Sequence, residues 1–149
     1  MALEADDWGV AEATPSDREI EEHDAGYAIT RLVQLVHERN VAVGWWSDLY
    51  TNMPLDRNVG EMLMLVVSEI SEAMEGHRKR LYDDHIIGRP MVEVELADAL
   101  IRIFDIAGGI KFNGQPLDLG GAFEEKLAYN RERLDHKAAS RLEENGKKY

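Results

Sequence analysis

From Glu95 to Ala107 the chain is apolar except at Glu95, Asp98, Arg102 and Asp105. Those four positions follow one another in helical steps, so they share one narrow stripe of an otherwise apolar helix. Such a helix must be enclosed by other helices on most of its circumference. This requirement constrains the fold more than any other stretch of the sequence.

The neighbouring segments supply helices to enclose it. Ile29, Leu32, Val33 and Val36 repeat with a 3.6-residue period, which predicts a first helix capped by Asp24 and reaching Asn40. Met62, Leu65, Val66, Glu69, Ile70 and Ala73 predict a second, from about Asn58 to Arg80. Pro90 suits the first turn of the third, which runs to about Ala107, with Gly108-Gly109 ending or thinning it. Asn113-Gly114-Gln115-Pro116 predicts a turn, and a fourth helix follows from Leu119 or Gly121 to Glu144. No period-2 strand pattern stands out. The expected class is therefore all-α, a four-helix-bundle-like core that completes itself by oligomerisation. Residues 1–24 are acidic and poor in large apolar groups, which predicts a loose extension. Residues 25–149 then form one all-α domain.

A formal net charge of −12 argues against binding a nucleic-acid polymer, which calls for a basic surface. With no cysteine, disulfides and thiolate metal sites are excluded. That composition fits a cytoplasmic location. No apolar run approaches the length of a membrane span, so no membrane partner is expected.

Two carboxylate pairs carry chemical information. Glu69 and Glu72, and Glu95 and Asp98, are each spaced i, i+3, close enough to grip one ion. Glu69 falls on the apolar side of its helix. A carboxylate there must be paired, protonated or metal-bound, because an isolated buried charge is very costly. Four clustered oxyanions call for a hard divalent cation, Mg²⁺ or Mn²⁺. The residues equally allow a solvent-facing stripe tied by Asp98 and Arg102. Neither pair has the Glu-x-x-His partner of a di-iron bundle.

Other residues add weaker signals. Trp45 and Trp46 suit either packing or the wall of a base pocket. Arg78, Lys79 and Arg80 suit the C-terminus of the second helix, where cations complement the helix dipole, or a polyphosphate contact. Lys126, Asn130 and Arg133 share one face of the fourth helix. Asp105 reads as accessory or structural.

Taken together, Ser68-Glu69-Ile70-Ser71-Glu72-Ala73 and Glu95-Leu96-Ala97-Asp98-Ala99-Leu100-Ile101, with twenty-two residues between Glu72 and Glu95, resemble the signature of the MazG-like all-α nucleoside triphosphate pyrophosphohydrolases. Lys126, Tyr129-Asn130 and Arg133 match that family's downstream helix in kind and order, and Gly44-Trp45-Trp46 is similar to the region before its first metal helix. The resemblance covers about residues 25 to 137. It implies Mg²⁺ held by Glu69, Glu72, Glu95 and Asp98, with Mn²⁺ able to substitute. It implies hydrolysis of a ribo- or deoxyribonucleoside triphosphate to the monophosphate and pyrophosphate. It further implies substrate contacts from Lys126, Asn130, Arg133, Trp45 and Trp46, and a homodimer or homotetramer. A non-catalytic helical interaction or regulatory module is the alternative.

Overall fold

A computed structural model of the chain describes residues 22–133. The extension expected over residues 1 to 24 lies almost wholly outside the described residues. So does the expected helix end at Glu144.

Four helices carry the fold: α1 (Glu22–Ala42), α2 (Val59–Lys79), α3 (Met91–Gly109) and α4 (Leu119–Glu132). The fold is all-α, as the periodicity predicts. α3 is the central element, packed on α2 along one side and on α1 along another, while α4 lies against α1. α1 starts two residues before the expected cap at Asp24.

Local chemistry sets the helix ends. The Asn58 side chain caps α2 by accepting from the Glu61 N–H at 3.2 Å. At the other end Arg80 takes a left-handed conformation (φ 55°), and the Leu81 N–H reaches back to the Gly76 carbonyl at 2.9 Å. This is the hydrogen-bond pattern usually built on glycine. Arg78 and Lys79 both pair with Glu75, within the last turns of α2. Pro90 precedes α3 as its cap instead of lying inside the first turn. Asp118 caps α4 through the Gly121 N–H at 2.9 Å.

Two expectations need correction. The segment after α3 is not only a turn. Lys111–Phe112 (β1) and Gln115–Pro116 (β2) pair as a short antiparallel hairpin. Asn113 and Gly114 both have positive φ, the backbone a two-residue hairpin turn needs. Two residues per strand are too few to show alternation in sequence. Secondly, α4 ends at Glu132, with Arg133 extended.

The core is thin. Among the described residues, Met62, Ala73, Ala99, Ile106 and Ala107 are the buried apolar ones. α3 is not enclosed on most sides by its own chain, because Leu96 and Leu100 are 46% and 50% exposed. On α2, Leu63, Val67, Ile70 and Met74 form a second open stripe. Glycines allow the closest approaches. At Gly120 an added Cβ would stand 2.5 Å from the Gly26 carbonyl oxygen, so α1 and α4 cross in backbone contact there.

Candidate functional site

The α2–α3 interface places carboxylates from both helices face to face. Glu69 projects from the inner side of α2 among Met62, Ala73 and Gly76 and is 7% exposed. Glu95, one turn into α3, is 8% exposed. One oxygen from each of Glu69, Glu95 and Asp98 lies within 4.8 Å of the others. Glu72 is on the rim, exposed, and accepts from the Ser68 hydroxyl at 3.1 Å. Thus three of the four expected ligands converge, and the fourth borders the same cavity of about 720 Å³.

Burial and charge crowding act together on these carboxyls. Burial pushes the Glu95 carboxyl up to about 7, helped by a hydrogen bond shared with Glu69 and by the charges of Glu72, Glu69 and Asp98. No cation offsets these effects. Asp98 is raised as well, first by burial and then by Glu69, with Arg102 pulling the other way. Glu69 has a partner that the sequence did not disclose: Arg102 Nε donates to its Oε1 at 2.6 Å across the interface. The pairing of Arg102 with Asp98 that the solvent-facing alternative allowed survives only as a charge interaction, without a hydrogen bond.

The donor set is all carboxylate oxygen, the chemistry that Mg²⁺ and Mn²⁺ prefer. A buried carboxylate crowded by Glu69, Glu72 and Asp98 is the feature such an ion would relieve. The residues present therefore fit a hard divalent cation held by Glu69, Glu95 and Asp98, with Glu72 at the edge.

A second cavity, about 280 Å³, shares Asp98 and Arg102 with the first and continues towards Asn40, Trp45, Arg57 and Asp105. The two tryptophans separate here. Trp46 is packed: its indole N–H donates to Asp105 Oδ1 at 2.9 Å, and its ring meets His37 edge-on at 4.9 Å. Gly109 lies so near that any side chain there would collide with this indole. Trp45 is 62% exposed and lines the cavity, its carbonyl accepting from Arg57 at 2.5 Å. Asp105 is 8% exposed and also lies 2.9 Å from His37 Nδ1, so it ties α3 to α1 and to the loop after α1. It is a structural anchor bordering the cavity.

Lys126, Asn130 and Arg133 are not brought to the carboxylates. They belong to α4 and its cap, on the α1 side, and line neither cavity. Lys126 and Arg133 instead stand over the Tyr129 ring, 4.6 and 5.7 Å from its centre. The Oδ1 of Asn130 is buried without a hydrogen-bond partner among the described residues.

Sequence reasoning passed over His37, Asn40 and Arg57. His37 directly follows Val36 of the α1 stripe, which hinted at an inward histidine. Nothing in the spacing points to Asn40 or Arg57. No helix among the described residues is long and apolar enough to cross a membrane. Compared with protein-family models, curated proteins and solved structures, the chain gives no match.

Proposed function

We propose that this chain is a Mg²⁺-dependent nucleoside triphosphate pyrophosphohydrolase, acting on the α–β phosphoanhydride of a ribo- or deoxyribonucleoside triphosphate. The observation that carries the reading is the buried Glu95 carboxylate, facing Glu69 and Asp98 in a cavity that shares Asp98 and Arg102 with a second one lined by Trp45. Glu69, Glu95 and Asp98 hold the cation, with Glu72 beside them. When bound, it neutralises phosphate oxygens and lowers the pKa of a water at the site.

The chain's own residues then have distinct tasks. Asp98 and Arg102 stand where the two cavities meet, so the phosphates lie on the carboxylate side and the base on the Trp45 side. The exposed Trp45 indole offers a stacking face. Arg57 holds the Trp45 backbone in place. Trp46, His37 and Asp105 tie the adjoining loop to α1 and α3.

A homo-oligomer belongs to the same proposal. Leu63, Val67, Ile70 and Met74 are each about half exposed or more and repeat along one side of α2. Together with Leu96 and Leu100 they form apolar surface of the kind that marks association. A second copy also supplies a route by which Lys126, Asn130 and Arg133 reach a phosphate that their own chain's carboxylates hold.

The Glu69–Arg102 ion pair favours the other reading, a helical interaction module in which these carboxylates are structural. Incubation with a panel of ribo- and deoxyribonucleoside triphosphates and Mg²⁺ separates the two. Release of pyrophosphate with the matching monophosphate is expected. No turnover of any nucleotide across the panel would leave the interaction module standing.

A further inference from the structure

We propose that Arg102 is an exchangeable counter-ion: it neutralises Glu69 in the metal-free site and turns to the substrate's phosphate chain in the loaded one. This deepens, and rests on, the metal-binding reading of Glu69, Glu95 and Asp98.

Four observations point to exchange. Arg102 is the one lysine or arginine among the residues lining the larger cavity, which also holds Glu69, Glu72, Glu95 and Asp98. It lines the smaller cavity too, so a short swing of its stem moves its charge from one to the other. Its side chain is 41% exposed, whereas that of Glu69 is 9% exposed, so the guanidinium is the mobile partner of the pair. Finally, only Nε–H is engaged, at 2.6 Å; among the described residues the two terminal nitrogens make no hydrogen bond. A guanidinium carries five donors in a planar fork suited to phosphate oxygens. Most of that capacity is unused in the ion pair.

Competition follows from the charges. Glu69 has one negative charge, and Arg102 and a divalent ion each bind it less strongly when both share it. Arg102 therefore weakens metal uptake by holding one ligand, and metal uptake weakens the ion pair by the same factor. Once displaced, the guanidinium sits beside a site that needs positive charge for an incoming triphosphate. The order of binding is set by this exchange: cation first, which frees Arg102, then nucleotide.

Calorimetry with Mn²⁺ on the wild-type chain, Arg102→Gln and Arg102→Lys tests it. Arg102→Gln should bind Mn²⁺ about five- to tenfold more tightly. In saturating Mn²⁺ the same variant should bind an α,β-imido nucleoside triphosphate at least about tenfold more weakly, with Arg102→Lys between. The wild-type chain provides a check that needs no folded variant. Its Arg102 ¹⁵Nε–H resonance, hydrogen-bonded in the metal-free protein, should move and exchange faster with water on adding Mg²⁺. An unmoved resonance, or an Arg102→Gln chain that binds Mn²⁺ no more tightly, overturns the exchange while leaving the metal site intact. A wild-type chain that takes up no Mn²⁺ overturns the metal site itself, and the exchange with it.

Discussion

Replacing Glu95 by glutamine isolates the feature on which the site depends. In the metal-free chain this carboxyl titrates near 7, against an ordinary value of 4.5. Its folded-state value is raised, so protonated Glu95 contributes stability that is fully present below about 4.5. That contribution is lost as pH climbs through about 7. A displacement from 4.5 to 7 corresponds to at most about 3 kcal/mol. The cavity is open to water, and solvent screening reduces the expected loss to about 1–2 kcal/mol. Asp98, raised for related reasons, adds in the same direction.

Glutamine keeps the shape, stays neutral at every pH, and its amide can donate to Glu69. Glu95→Gln in EDTA should therefore melt higher than the wild type at pH 8, by roughly 3–8 °C for a domain of this size. At pH 5, where Glu95 is already largely protonated, the two should melt within about 2 °C of each other. Circular-dichroism melts at both pH values measure this. Added Mg²⁺ should reverse the order at pH 8, because the variant loses much of the stabilisation that ligand binding confers, about 2.7 kcal/mol at a hundredfold excess over Kd. A variant that melts lower than wild type at pH 8 without metal would show that Glu95 has a stabilising partner. The charge-crowding account would then be wrong.

Other consequences are simpler to check. Hydrolysis should vanish in EDTA and return with Mg²⁺ or Mn²⁺; pyrophosphate release in metal-free buffer would remove the cation from the reaction. Trp46→Leu should cost on the order of 2–3 kcal/mol in urea unfolding, since it empties packed space and leaves Asp105 short of a donor. Trp45→Leu should change stability by under about 1 kcal/mol but weaken nucleotide binding, and equal effects from the two would contradict their separation. Gly120→Ala should destabilise the chain by about 1–3 kcal/mol, because the new methyl group meets the Gly26 carbonyl; an unchanged melt would mean that α1 and α4 do not cross there.

Much of the fold was legible because helices announce themselves locally. The α2 and α3 boundaries fall within a residue or two of those expected, since Asn58, Pro90 and the glycines near 108 are local signals. The inward placement of Glu69 was equally readable: it sits in phase with Met62 and Ala73, and all three are buried. The hairpin was hidden because each strand is only two residues long. Trp45 and Trp46 could not be told apart, because adjacency says nothing about which indole has Asp105 opposite it. That pairing joins residues 59 apart in the chain.

The partner of Arg102 shows the same limit with more consequence. Along α3, Arg102 stands four residues from Asp98, and local spacing favours a pair on one helix. Across the interface, Glu69 offers a buried acceptor whose desolvation makes a charge-assisted bond worth more than one on the surface. The cross-helix pair wins, and Asp98 keeps only a longer-range attraction to the guanidinium. Glu95 then has no cation at all, and its carboxyl carries the strain of the cluster. One arginine against four carboxylates is enough to let α2 and α3 pack without metal, but too little to satisfy the interface. An interface left in that condition stays foldable, and on the proposed reading it is relieved by a divalent ion. Its acidity, more than its shape, therefore makes it a candidate site instead of an ordinary salt-bridged seam.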